Sequence, residues 1–343
     1  MQVVIAPDCF TGTLTAAAAA DALAVGWRRG APHDTVTTVP MSDGGTGFLD
    51  VLSRALPAAE LRPVTVGDPL GRPVPAAVLL DRATGTAYVE TAQACGLHLL
   101  AVGERDPLLA STAGVGALLA AARDSGATRV VAGLGGSATH DGGRGAVEAL
   151  GGSWPAGLPL VVATDVDVPL GDAGWFAAQK GATPEQLPLL AERLAAWAVE
   201  LEATTGRRVQ RRDGAGAAGG LGFGLLALGA TREPGVGVVA AAAGLAATLA
   251  GAALTVTGEG RYDATSLRGK VCGGVARLAQ AAGLPCVVLA GELDVGQREA
   301  RAHGVDEMRS TAELAGSAED ARARPAYWLA ELAARTAARW SRP

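Results

Sequence analysis

The sequence predicts an α/β protein in which a parallel-sheet domain is assembled from both chain ends around an inserted second α/β domain. Three observations carry this. The N-terminal part alternates strand, helix, strand and helix, as "QVVIAP", "AAAAADALAVGWRRG", "TVTTVPM" and a second helix from about Thr46, an order that favours parallel pairing. Between residues 61 and 92 the texture changes to short β-rich runs broken at Asp68-Pro69 and around Gly85, which suits antiparallel pairing and the start of another domain. From about residue 236 the helix and strand alternation resumes. The parse is residues 1–62 with 236–343 as one domain and 63–235 as the insertion. Ligands are expected in the cleft between the two, because domain interfaces and the carboxyl ends of parallel strands are the usual locations.

The remaining elements follow in order. "GVGALLAAARDSG" reads as a helix, "TRVVAGLG" and "LPLVVATDV" as strands, and about Pro184 to Thr204 as a long helix. Residues 236–257, "VGVVAAAAGLAATLAGAALTVT", carry no charge and are long enough to span a bilayer. Alanine and glycine dominate, Gly251 interrupts, and "AALTVT" has strand character; the segment reads as a buried helix, a turn and a strand. Strands at "PCVVLAG" and "VDEMRS" precede a closing amphipathic helix, "AYWLAELAARTAARW",.

Composition narrows the function. Hydrophobic residues make up 49%, charged residues 18% and aromatic residues 4%, so the cores must be built from Ala, Val and Leu, and disorder is disfavoured. A net charge of -5 leaves no basic footprint for nucleic acid. The start, "MQVVIAPD", lacks a signal-peptide layout,, and a cytoplasmic protein with no membrane partner is expected. Cys9, Cys95, Cys272 and Cys286 and the scattered histidines lack metal-ligand spacing, so neither a disulfide framework nor a zinc site is indicated.

Acidic groups leave the carboxyl ends of the proposed strands: Asp8 after the first, Asp43-Gly44-Gly45 after the second, and Glu259 with Arg261 and Asp263 after the strand near 253–257. An isolated Asp there more often caps a helix or forms a turn than acts on a ligand, but in a parallel sheet all three exits share one edge. "GLGGSATHDGG", residues 133–143, follows a strand and precedes a helix beginning near Gly143. Its bare backbone can turn N–H groups toward an anion. Gly135, Gly136, Ser137 and Thr139 are the candidate contacts, with Asp141 either a helix cap, a base toward a hydroxyl, or a neighbour of Mg²⁺.

Two further stretches carry weaker signals. "DGAGAAGGLGFG" contains a literal G-x-G-x-x-G at Gly214, Gly216 and Gly219, but it lacks the flanking strand and the later acid of a dinucleotide fingerprint. Gly214 and Gly216 remain candidates for an anion-binding helix start or for close helix packing. In "TGEGRYDATSLRGK" the solvated-loop reading competes with one in which Lys270 or Arg261 neutralises phosphate and Glu259 or Asp263 holds Mg²⁺,. Asp165 and Asp167 in "ATDVDVPL" are either ligands or turn formers.

The ordered set "VVIAPD", "DGG", "GDPLGRPV", "GLGGSATHDGG", "ATDVDVPL", "QKGA", "GAGAAGGLGFGLLA" and "TGEGRYDATSLRGK" resembles the bacterial glycerate kinase family over nearly the whole chain. The resemblance implies a Rossmann-like domain from both termini, an inserted α/β domain, and ATP- and Mg²⁺-dependent phosphorylation of glycerate, with 2-phosphoglycerate as product. On that reading Asp141 and Asp43 are the candidate bases, and Lys270 and Arg261 balance phosphate or the substrate carboxylate. Gly44, Gly45, Gly135, Gly136, Ser137, Thr139, Gly214 and Gly216 line the substrate and phosphate, while Asp8, Glu259 and Asp263 organise Mg²⁺. The chain departs from the family pattern at Cys9 and Thr11 after Asp8, where Ser-Phe-Lys is usual, and at Thr46, His140 and Thr265. Those departures keep open another small hydroxy acid or polyol as acceptor, and a non-catalytic ligand-binding role.

Overall fold

The computed structural model describes residues 1–267 and 269–341. The chain forms two compact units, one from Met1–Ser42 with the chain from Val236 onward, the other from Asp43–Gly235. The first division falls earlier than the expected residue 62. The helix Phe48–Ala55 and the strand that follows join the second unit: Phe48 meets Tyr88 edge-on at 6.3 Å between ring centroids, and Glu90 accepts the Leu49 N–H.

The first unit is built on β1 (Gln2–Ile5), β2 (Thr35–Thr38), β9 (Leu254–Thr257), β11 (Cys286–Ala290) and β13 (Glu307–Ser310). All neighbours are parallel, in the order β13-β11-β9-β1-β2. Counted along the unit's own chain this is the doubly wound order 2-1-3-4-5, whose direction reverses between β1 and β9. β10 (Arg261–Tyr262) and β12 (Glu292–Leu293) add a small parallel pair.

Sequence explains the covering helices. Ala16–Gly30 starts where the Thr15 hydroxyl accepts the Ala18 N–H, and ends with Arg28 and Arg29 in its last turn, both favourable to the helix dipole. Its buried stripe of Ala19, Leu23 and Trp27 joins Leu329, Leu332 and Ala333 of the closing helix Pro325–Trp340 in one core. The uncharged 236–257 segment is two helices, Gly235–Ala242 and Leu245–Leu249, followed by β9. Among the described residues no helix is long and apolar enough to cross a membrane.

The second unit carries β3 (Glu60–Gly67), β4 (Pro73–Asp81), β5 (Thr86–Glu90), β6 (Arg129–Gly133), β7 (Leu160–Ala163) and β8 (Thr231–Glu233). β3, β4 and β5 are antiparallel, whereas β5 through β8 are parallel. Helices Ala113–Arg123, Gln186–Thr205 and Ala217–Ala227 contribute Leu118, Trp197 and Phe223 to its core. The carboxyl ends of β6 and β7 open directly into the glycine-rich and Asp165-bearing loops.

Candidate active site

Chemistry gathers at the carboxyl ends of the parallel strands in each unit. In the first unit the exits of β1 and β9 are adjacent, since the Asp8 N–H donates to the Gly258 carbonyl at 2.8 Å. They flank the point where the strand order reverses, the usual ligand position in a doubly wound sheet. Glu259 is 5% exposed and, among the described residues, its Oε1 has no hydrogen-bond partner. Burial pushes its carboxyl up to about 7, against the opposing pull of Ser266 and the Lys270 charge. Lys270 stands at the N-cap of the helix Val271–Ala281.

The other expected residues of this loop are otherwise engaged. Asp263 accepts from the Thr265 N–H at 2.8 Å and from the Thr265 hydroxyl at 2.6 Å, the pattern of a cap for the helix Ala264–Leu267. Burial acts to raise its carboxyl, but the Thr265 hydrogen bonds and the Lys270 charge together hold it below the ordinary value. Arg261 is exposed and ion-paired with Asp294 beside β12. Among the described residues no three or more His, Cys, Asp and Glu side chains group as a metal centre, so Asp8, Glu259 and Asp263 do not form one three-carboxylate cage.

In the second unit, loop 43–47 lies against loop 133–136. A Cβ on Gly135 would come within 2.6 Å of the Gly45 Cα, and one on Gly136 within 2.7 Å of the Thr46 hydroxyl; only bare backbone allows this approach. Asp43 turns its Oδ1 onto the Gly45 N–H at 3.0 Å. Gly136 has φ +63°, and its carbonyl accepts from Leu97. The N–H groups of Gly135, Gly136 and Ser137 have no acceptor among the described residues. Successive N–H groups around a left-handed residue form a concave seat for an anion.

Asp141 takes the capping alternative. Its Oδ2 accepts from the Thr112 N–H at 2.9 Å, the Thr112 hydroxyl at 2.8 Å and the Gly145 N–H at 3.1 Å, and its Oδ1 from the Gly143 N–H at 3.0 Å. Four donors fix the carboxylate at the start of Arg144–Ala149. Gly214 and Gly216 also follow the packing alternative. A Cβ at Gly214 would meet the Arg232 side chain at 2.7 Å, and one at Gly216 the Pro169 carbonyl at 2.5 Å.

Sequence reasoning passed over Lys180 except as part of "QKGA". It is 2% exposed, and its Nζ donates to the Ser137 hydroxyl at 2.9 Å and the Thr139 carbonyl at 2.7 Å. Burial holds its ammonium down to about 8. His140, one of the departures, is buried beside it with Nδ1 unpartnered, and is pushed down to about 4 by burial and then by the Lys180 charge. One signal was available: only two of the 29 Lys and Arg residues are lysines, Lys180 and Lys270. A chain that otherwise uses arginine keeps these two where a compact, single-point cation fits.

Fold and loops together define an α/β enzyme of the phosphotransferase kind, with a carboxylate-bearing switch point in one unit and bare N–H groups over a buried cation in the other. Comparison with known proteins places it further. The glycerate kinase family model matches residues 3–156 and 153–341. "Glycerate 2-kinase" of Escherichia coli (strain K12) and "Glycerate kinase" of Bacillus subtilis (strain 168) are each 36% identical, covering 94% of this chain and 93% of the relative. A solved structure named for glycerate kinase 2 of Salmonella typhimurium LT2 superposes with a TM-score of 0.79 at 33% identity, over 99% of this chain and 98% of that one. The chain belongs to the glycerate kinase family and is a kinase.

Proposed function

We propose that the protein transfers the γ-phosphoryl group of ATP to glycerate, giving 2-phosphoglycerate. The observation that carries this reading is the row of three N–H groups at Gly135, Gly136 and Ser137 that lack acceptors among the described residues in a chain of this family. Phosphoryl transfer depends chiefly on positioning and charge neutralisation, and these groups supply both for an oxyanion. Lys270 neutralises phosphate charge beside Glu259. Asp43, with one oxygen engaged by Gly45, is the preferred base for the acceptor hydroxyl over the capped Asp141.

The oxygen donors of the first unit fit Mg²⁺ bound with nucleotide, since that ion keeps waters and phosphates and needs only one or two protein carboxylates. The unpartnered Oε1 of Glu259 and the neighbouring Asp8 would hold it, and the bound ion would offset phosphate charge.

The test identifies the product of MgATP and D-glycerate by NMR. 2-Phosphoglycerate is the expected result, and 3-phosphoglycerate would overturn the assigned position. Thr46, against Gly136, and the buried His140 border the proposed seat, so a panel of small hydroxy acids and polyols tests the acceptor. A clear preference for glycerate is expected, and a strong preference for another member would replace it.

A further inference from the structure

We infer that Lys180 is a positioning residue that makes loop 135–139 an oxyanion seat, a role that rests on the kinase reading but reaches beyond it. The ammonium is buried, and among the described residues no carboxylate lies within 4.0 Å of it. A buried charge without an opposite partner is costly unless something bound supplies one. The two acceptors it does have, the Ser137 hydroxyl and the Thr139 carbonyl, belong to the loop whose N–H groups at 135–137 lack acceptors.

The hydrogen-bond direction fixes what the loop presents. Lys180 has only protons to give, so Ser137 Oγ accepts from it and turns its own hydrogen elsewhere. Ser137 therefore offers a hydroxyl donor beside the three N–H groups. Gly136 and Gly135 are the exposed and half-exposed members of the loop, so a ligand meets backbone N–H groups while the cation acts from beneath. The Thr139 hydroxyl is buried and, among the described residues, has only the neighbouring Cys95 thiol beside it and no nitrogen or oxygen partner. Gly219 keeps the space for the ammonium, since a Cβ there would come within 2.8 Å of Nζ.

The ligand is an oxyanion, either the carboxylate of the acceptor or a phosphate. The groups facing the ammonium are the Cys95 thiol, held up to about 12 by burial, the capped Asp141, and the His140 ring. The thiol and the ring change charge well away from pH 8, so affinity for the oxyanion falls as the ammonium loses its proton through about 8.

Calorimetric titrations with D-glycerate alone and with inorganic phosphate alone, on folded wild type, Lys180→Met and Ser137→Ala, test this and show which oxyanion binds. Lys180→Met is expected to weaken binding about 10- to 100-fold, the scale of a lost hydrogen bond to a charged group, and to abolish the fall near pH 8. Ser137→Ala, which leaves the cation in place, is expected to weaken binding about 3- to 10-fold. The double variant should lose no more than Lys180→Met alone, because one residue acts through the other. Wild-type affinity in Lys180→Met, an unchanged pH profile, additive losses, or no binding of either oxyanion by wild type would each overturn the role. If Lys180→Met does not fold, the Ser137→Ala titration and the wild-type pH profile decide alone. Oxyanion binding without glycerate-dependent turnover would overturn glycerate as the acceptor and leave this role standing.

Discussion

At the exit of β9 burial traps a carboxylate, whereas at the exit of β6 it traps an ammonium. Glu259 is pushed up to about 7 and has an oxygen with no partner. Lys180 is pushed down to about 8 and has two neutral acceptors but, among the described residues, no carboxylate within 4.0 Å. Neither arrangement favours the folded protein by itself, because each holds a charge away from water. The contrast assigns the units different ligand chemistry: the first unit's acid suits a cation carried by a nucleotide, and the second unit's cation and bare N–H groups suit an oxyanion.

The largest way to break the contrast is to fill the space beside the ammonium. A Cβ at Gly219 would overlap the Thr139 carbonyl and crowd Lys180 Nζ, at a position where φ is +68°. Gly219→Ala is expected to cost about 3 kcal/mol or more, read as a fall in denaturation midpoint. A loss below about 1 kcal/mol would show that the loop yields easily.

Glu259→Gln sharpens the comparison from the other side. Turnover is expected to fall on the order of 100-fold, with most of the loss in the response to MgATP. Retention of wild-type dependence on Mg²⁺ would remove Glu259 from the nucleotide's surroundings.

The two groups also predict opposite pH slopes. Between 4.5 and about 7 the folded protein keeps a proton on Glu259 that the unfolded chain has released, so stability falls as pH rises through that window. Between about 8 and 10.5 the unfolded chain keeps a proton on lysine that folded Lys180 has released, so stability rises with pH there. Each slope amounts to up to about 3 kcal/mol. Denaturant titrations across pH in metal-free buffer should lose the first slope in Glu259→Gln and the second in Lys180→Met; slopes that persist would deny the assignments.

Smaller effects are expected at Asp141 and Arg261, whose side chains are held by neighbouring groups. Asp141→Asn is expected to cost about 1–2 kcal/mol as a lost cap, with turnover per folded molecule changed less than about tenfold. A loss approaching that of Glu259→Gln would return Asp141 to the chemistry. Arg261→Ala should stay within about 0.5 kcal/mol and about twofold in turnover, because its exposed pair with Asp294 is worth little,.

Regular elements were legible where periodicity and chain punctuation agreed. The helix Ala16–Gly30 and the strands β1, β6 and β9 fall on the runs that the alternation marks, and Gly251 lies in the turn before β9, but the single helix expected ahead of it is two, broken at Gly244. Three-residue β8 and the two-residue pair β10 and β12 were not legible, since so few residues show no period and form only because a neighbouring strand offers hydrogen bonds. The place of residues 43–62 was hidden for a similar reason. Phe48 chooses its unit through Tyr88 and Gly133, contacts that local sequence does not encode.

The candidate site divides along the same line. Glycine density pointed to loop 133–143 and strand exits pointed to Asp8 and Glu259. The competing cap and catalytic readings of Asp141 turned on Thr112, 29 residues away. Lys180 follows the run "GWFAAQ" with no strand exit or loop signature of its own; its burial comes from tertiary packing, and only the scarcity of lysine in the whole chain distinguished it.

The most direct measurement is the initial rate of ADP formation from MgATP with and without D-glycerate, on folded protein shown to bind nucleotide. Glycerate-dependent turnover at a kinase-like rate, on the order of 1–100 s⁻¹, is the predicted result. Nucleotide binding with no acceleration by glycerate would contradict the assigned reaction and point to another acceptor or to a binding role.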